Sequence, residues 1–314
     1  MNYIGSKYKL SKFIKSEIKK IVGEMKDKVF CDLFAGTGAI GRAFKTESKK
    51  IIANDIEYYS YVLNQNYIGN HKELYWQEFV DELNSLKGVK GFIYKNYCVG
   101  SGSKRLYFTD ENGKKIDAIR RKIEEWKTIE LINKNLYYFL LTSLIENADA
   151  VANTASVYGA FLKHVKKSAQ KTLTLKPALF DFNDAEHEVF NENSNILINK
   201  IEGDVLYLDP PYNSRQYGAN YHLLNTIARY DKCTVNGKTG LRDYERSLYC
   251  QKKEVSNVFE DLVKNAKFKY VFLSYNNEGL MDSKTVKKIM SKYGKYGKCE
   301  TNTKDIRLII TGNT

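Results

Sequence analysis

Proline is nearly absent from this chain: three occur in 314 residues, and two of those are adjacent, in Asp209-Pro210-Pro211-Tyr212. Cysteine is sparse as well. Cys31, Cys98, Cys233, Cys250 and Cys299 are odd in number, widely spaced and never arranged as Cys-x-x-Cys, which excludes a disulfide framework and argues against a structural zinc site. The four histidines, His71, His164, His187 and His222, are scattered, so a histidine metal cluster has no support and no metal is expected. No apolar run approaches the length of a membrane span, and Met1 to Lys12 is polar and basic where a signal peptide would be apolar. These absences predict a soluble cytoplasmic protein in a reducing compartment, with no membrane partner.

What is present is positive charge. Fifty Lys and Arg face 37 Asp and Glu, a formal net charge of +13, which suits a polyanionic partner such as nucleic acid better than a neutral metabolite. The length and the 43% of hydrophobic residues suffice for one large core, or for a domain carrying an insertion.

Along the chain, apolar residues at helical spacing (Leu10, Phe13, Ile14, Ile18, Ile21, Val22) predict an amphipathic helix over 9–22. A strand over 29–34 runs into Ala35-Gly36-Thr37-Gly38-Ala39-Ile40-Gly41 and a helix, and a second strand, 51–53, ends at Asn54-Asp55. Strand, glycine turn, helix, strand, acid is the opening of a doubly wound α/β sheet. From about 87 to 127 glycines and basic residues interrupt the pattern. There Asp110-Glu111-Asn112-Gly113 reads as a turn before a helix marked by Ile116, Ile119, Ile123 and Trp126, so the stretch has the look of an inserted subdomain. A buried helix over 136–145, a polar loop over 153–159 and a lysine-rich stretch over 163–176 follow. The sheet resumes with strands at 205–208, 270–274 and 306–311, with a lysine-rich helix near 283–292.

Two motifs carry chemistry. The run Val205 to Leu208 reads as a buried strand that must stop at Asp209, because proline cannot donate to the ladder. Pro210 and Pro211 fix their own φ, and the residue before a proline is held extended, so a carboxylate, a carbonyl and an aromatic ring stand on a stiff ledge. Ligands of open parallel sheets bind outside the carboxyl ends of the strands, where this ledge falls. The glycine turn, with Asp55 nineteen residues after Gly36, lets a ligand approach the backbone and offers an acid to ribose hydroxyls. A nicotinamide or flavin nucleotide fits that second motif as well as any other nucleotide cofactor, and so does a bare strand-to-helix turn.

Taken together, Tyr3-Ile4-Gly5-Ser6-Lys7, Asp32-Leu33-Phe34-Ala35-Gly36-Thr37-Gly38 and Asp209-Pro210-Pro211-Tyr212 resemble the alpha-group, Dam-like family of DNA adenine-N6 methyltransferases, in the family's order along the chain. The resemblance spans nearly the whole chain, strongest over 1–70 and 195–280. It implies a doubly wound Rossmann-like methyltransferase sheet, mostly parallel with the last strand antiparallel, formed by 1–86 and 176–314, and a DNA target-recognition insertion over 87–175. It implies S-adenosylmethionine as cofactor, with Tyr3 and Lys7 in contact with it. The turn with Phe34, Gly36 and Gly38 would lie by its methionine part, Asp55 on its ribose, and Asp209 between cofactor and base, with Asp32 also among the cofactor-binding residues. Where family members have an acid near the cofactor adenine, this chain has Asn191-Glu192-Asn193-Ser194, and Asn193 is taken as the substitute because an amide oxygen also accepts from an amine.

The expected catalytic residues are Asp209, Pro210, Pro211 and Tyr212. The carboxylate and the Pro210 carbonyl would accept hydrogen bonds from the exocyclic amine, and the Tyr212 ring would stack on an adenine turned out of the duplex. The segment Tyr275-Asn276-Asn277-Glu278-Gly279 would line the base pocket. Arg215, Gln216, Tyr217, Arg242 and Arg246, with Lys163, Lys166 and Lys167, are the expected DNA contacts, mostly to phosphates. Double-stranded DNA is the expected partner, with a cognate restriction endonuclease acting separately. An RNA adenine methyltransferase, a cytosine-amine methyltransferase, a nicotinamide-dependent oxidoreductase and an inactive nucleic-acid-binding module are the alternatives.

Overall fold

The structure is a computed structural model that describes residues 7–276, 279–303 and 306–312, with residues from 295 onward described by their backbone. Among the described residues seven strands form one sheet: β1 (Val29–Asp32), β2 (Lys50–Asn54), β3 (Glu188–Phe190), β4 (Glu202–Leu208), β5 (Lys267–Tyr275), β6 (Lys295–Thr303) and β7 (Ile306–Gly312). Their order is β3-β2-β1-β4-β5-β7-β6. The five strands from β3 to β5 are mutually parallel, and β7 runs antiparallel to both β5 and β6.

Burial on both faces explains why the strands read as continuous apolar runs rather than alternating ones. Phe30, Ile51, Ala53, Val205, Tyr207 and Phe272 join Ile14 and Ile18 of the helix Ser11–Val22 and Phe44 of the helix Ala39–Phe44 in one core. Their neighbours Cys31, Ile52, Leu206, Leu208 and Leu273 join Phe259 and Leu262 of the helix Val255–Asn265 and Ile289 of the helix Ser283–Tyr293 in a second. This is a doubly wound, Rossmann-like α/β sheet. The chain leaves β1 towards β2 on one side and returns through β4 towards β5 on the other, so the order reverses between β1 and β4. Such a switch point is where an open sheet offers a crevice to a ligand. Asp32 is in register with Tyr207, two residues before Asp209.

The chain divides into two compact units. Of the described residues, one holds the sheet and comprises 7–71, 181–216 and those from 246 onward; the other comprises Lys72–Phe180 and Tyr217–Glu245. The second is wider than the insertion expected over 87–175, because it also takes in a segment that follows the Asp-Pro-Pro-Tyr element. In that segment the helix His222–Arg229 buries His222, Leu223, Leu224 and Ile227. The buried Arg120 donates to the carbonyls of Ile227 and Ala228 at 3.1 and 3.0 Å and so caps that helix from the long helix Asp110–Thr128.

The turn expected at Asp110-Glu111-Asn112-Gly113 is instead the first turn of the helix Asp110–Thr128. Thr109 is its N-cap, its hydroxyl accepting from the Asn112 N–H at 3.3 Å, and Asp110 and Glu111 sit at the positive end of the helix dipole. Gly113 is there for packing: a Cβ on it would lie 1.9 Å from the Cys98 Sγ. Among the described residues no helix is long and apolar enough to cross a membrane.

Candidate active site

β1 ends at Asp32 and enters the glycine turn, where Gly36 (φ 52°) and Gly38 (φ 76°) take left-handed conformations that a side chain would strain. Three groups hold the turn in place. The Asp55 carboxylate, just past β2, accepts from the Gly36 N–H at 2.8 Å and from the Glu57 N–H at 2.9 Å. Asn64 donates to the Gly36 carbonyl at 3.0 Å, and a Cβ on Gly38 would meet the Asn64 Oδ1 at 2.5 Å. Asn54 donates to the carbonyls of Leu33 and Glu192 and accepts from the Glu192 N–H, tying the ends of β1, β2 and β3 together. Asn54 and Asn64 were not singled out from the sequence. An amide buried in an otherwise apolar element is the signal that marks both.

Asp32 is buried, and its Oδ2 accepts from the Gly41 N–H at 3.0 Å. Its Oδ1 is buried and has no hydrogen-bond partner among the described residues. Burial pushes this carboxyl up to about 7; the nearby charges of Asp209 and Asp55 add to the rise, and the Gly41 N–H and the Lys7 ammonium oppose it. Burial likewise raises Asp55 to about 6, against the N–H groups of Glu57 and Gly36.

At the end of β4 the Asp209 side chain is one corner of a three-membered network. The Lys7 Nζ lies 2.7 Å from Asp209 Oδ2 and donates to the Tyr212 hydroxyl at 2.6 Å, while that hydroxyl donates to Asp209 Oδ1. The ammonium also stands 5.0 Å from the centre of the Tyr212 ring. The Tyr275 ring meets Tyr212 edge to face at 5.4 Å, and the Leu280 N–H donates to the Tyr212 carbonyl at 2.9 Å. Burial and the Asp209 charge push the Tyr212 hydroxyl up, so it stays a donor across the physiological range.

Several expected residues are engaged internally. Asn193 caps the short helix Ser194–Leu197, its carbonyl oxygen accepting from the Asn195 N–H at 2.9 Å. Phe34 packs edge to face on Tyr249 at 5.0 Å. Gln216 exchanges two hydrogen bonds with the Ser247 backbone. Arg242 departs from the expected phosphate contact: it is 9% exposed and grips Asp231 with both arms, at 2.7 and 3.2 Å, so its fork is spent inside the protein. The Lys166 ammonium donates to the Thr154 carbonyl at 2.6 Å. Tyr217 opens the short helix Tyr217–Asn220 and stacks on Tyr221 at 6.1 Å. Lys163, Lys167, Arg215 and Arg246 are exposed. Tyr3, Asn277 and Glu278 lie outside the described residues.

Comparison with known proteins supplies the family. Residues 3–289 match the model of the D12 class N6 adenine-specific DNA methyltransferases. The type II methyltransferase M.NlaIII of Neisseria lactamica is 58% identical over 315 residues, covering 100% of this chain and 94% of the relative. M.CviAII of Paramecium bursaria Chlorella virus 1 is 38% identical, covering 96% of this chain and 90% of the relative. M.FokI of Planomicrobium okeanokoites is 41% identical over 94% of this chain, which spans 47% of that longer relative. The match takes in the glycine turn, Asp55, Lys7 and the Asp209 network alike, and the chain belongs to the D12 class of N6 adenine-specific DNA methyltransferases.

Proposed function

We propose that this protein transfers a methyl group from S-adenosylmethionine to the exocyclic amine of an adenine turned out of duplex DNA, at one short sequence, beside a restriction endonuclease that acts separately. The observation that carries this reading is the Lys7–Asp209–Tyr212 network at the end of β4, in the same compact unit as the glycine turn that follows β1.

The residues present fit the cofactor. Gly36 and Gly38 leave a stretch of backbone bare of side chains, and the unpartnered Asp32 Oδ1 is a buried acceptor suited to a cationic ligand. Asp32, Phe34, Gly36 and Gly38 would take the methionine part and Asp55 the ribose, with Tyr3 added by family resemblance. Asn193 is less suited to the adenine than the sequence implied, because its carbonyl oxygen already caps a helix. When bound, S-adenosylmethionine supplies an electrophilic methyl on a sulfonium.

The amine of adenine is a weak nucleophile because its lone pair is delocalised into the ring. Two acceptors, the Asp209 carboxylate and the Pro210 carbonyl, favour a tetrahedral nitrogen whose lone pair points out of the ring plane. Pro210 and Pro211 keep both acceptors from swinging away. Tyr212 and Lys7 each engage one of the two carboxylate oxygens. An incoming N–H therefore takes the place of the Tyr212 hydroxyl on Oδ1, while Lys7 keeps hold of Oδ2. The freed Tyr212 ring, supported by Tyr275, stacks on the base.

The test is incubation with S-adenosylmethionine and genomic DNA, followed by mapping of methylated bases at single-nucleotide resolution. N6-methyladenine confined to one short sequence is the expected result. Asp209→Ala is expected to abolish transfer while largely sparing DNA binding, and near wild-type activity in that variant would overturn the mechanism.

A further inference from the structure

A loop in the second compact unit has no part in the chemistry above. Between Tyr230 and Arg242 the backbone enters the left-handed region four times, at Tyr230 (φ 50°), Lys232 (φ 52°), Gly237 (φ 64°) and Gly240 (φ 68°). Two of these are not glycine, a strained arrangement that persists only when its surroundings fix it.

The surroundings do fix it, at three levels. At the base Arg242 grips Asp231 with both arms, and the Tyr230 hydroxyl donates to the buried Asp117 at 2.5 Å. In the middle Asn236 and Leu241 exchange both backbone hydrogen bonds at 2.8 Å, closing a hairpin. At the tip Arg105 donates to the carbonyls of Gly237, Lys238 and Asn96 at 2.9, 3.2 and 3.1 Å, and the Tyr97 hydroxyl donates to the Gly240 carbonyl at 2.8 Å. A Cβ on Gly240 would lie 2.7 Å from the Tyr97 ring, so the tip is packed against its support. Arg105 thereby ties two loops into one platform.

This rigid hairpin displays a polar row. Lys232, Thr234, Asn236, Gly237 and Lys238 are exposed, while Cys233 and Val235 between them are partly covered. A hydroxyl and a carboxamide thus stand between two cations. A carboxamide can donate to and accept from one base edge at once, which a phosphate-binding lysine cannot do. Rigidity adds discrimination, because a side chain on a fixed backbone cannot adjust to a wrong base.

We propose that the hairpin 231–242 is a sequence-reading element for duplex DNA, with Asn236 and Thr234 on base edges in the major groove and Lys232 and Lys238 on flanking phosphates. This places specificity in a segment that follows the Asp-Pro-Pro-Tyr element, outside the expected insertion. The inference rests on the adenine methylation proposed above, which the wild-type map tests separately.

Wild-type protein, Asn236→Ala and Lys238→Ala are each incubated with S-adenosylmethionine and a library of duplexes that varies every position of the methylated site. Asn236→Ala is expected to lose discrimination at one base position by roughly 10- to 100-fold and to keep the others. Lys238→Ala is expected to weaken binding about equally on every sequence and to lower the salt slope by about 0.9. An Asn236→Ala profile unchanged at every position, or lowered uniformly across all of them, overturns the proposal.

Discussion

At the scale of single residues, Lys7 has a structural partner beside the cofactor contact that family resemblance implies: it is buried and bridges Asp209 and Tyr212. Its removal leaves a carboxylate with 15% of its surface exposed and, among the described residues, no other ion-pair partner. Lys7→Met is expected to reduce stability by roughly 2 kcal/mol, the scale of a hydrogen bond to a charged group. It is also expected to lower kcat more than it raises the KM for the cofactor. Chemical denaturation and steady-state kinetics measure both; an unchanged kcat with a raised cofactor KM would leave Lys7 the cofactor contact alone.

Asp32 gives a pH signature. Its folded value of about 7 lies above the ordinary carboxylate value of about 3.9. Between those values the native state holds a proton that the unfolded chain has lost, so this group's contribution to stability falls as pH rises through the window. Asp32→Asn removes that slope. It is expected to melt with the wild type near pH 4 and above it at pH 8; a difference that does not vary with pH would rule this account out.

At the scale of elements, legibility depended on whether a signal was local. β1, β2, β4 and β5, the glycine turn and the proline stop were readable, because apolar runs and φ requirements are written into neighbouring residues. β3 was not, for Glu188–Phe190 is three residues long and its chain neighbours are polar. The helix Asp110–Thr128 differs from the sequence expectation at its start, since Asn112-Gly113 has the composition of a turn and the distant Cys98 explains the glycine. That explanation makes a prediction opposite to helix propensity. Gly113→Ala would be worth up to about 1 kcal/mol of stabilisation by propensity alone. A Cβ 1.9 Å from a buried sulfur forces a shift that costs roughly 1–3 kcal/mol, so net destabilisation is expected. Adding Cys98→Ala to Gly113→Ala should recover part of the loss, and denaturant midpoints of the two single variants and the double variant measure the coupling.

At the scale of the whole molecule, the charge of +13 announced a polyanionic partner, but charge alone did not reveal which cations face solvent. Arg242 and Lys166 looked like DNA contacts for the same reason as Lys163 and Lys167, and only tertiary partners separate them. Arg242 is fixed on Asp231 and Lys166 on a backbone carbonyl, whereas Lys163 and Lys167 are exposed. Each lysine that neutralises a phosphate contributes about 0.9 to the slope of log affinity against log salt. Neutralising Lys163 and Lys167 together to Gln should therefore flatten that slope by about 1.8 if both touch phosphates. Arg242→Gln should lower the melting temperature, because it abandons Asp231 and loosens the base of the hairpin, and should remove no phosphate contact of its own from the slope. Titrations of DNA affinity at several salt concentrations, beside melting curves, separate the two kinds of cation. An Arg242→Gln variant with wild-type stability and a flattened slope would put that guanidinium back on the DNA.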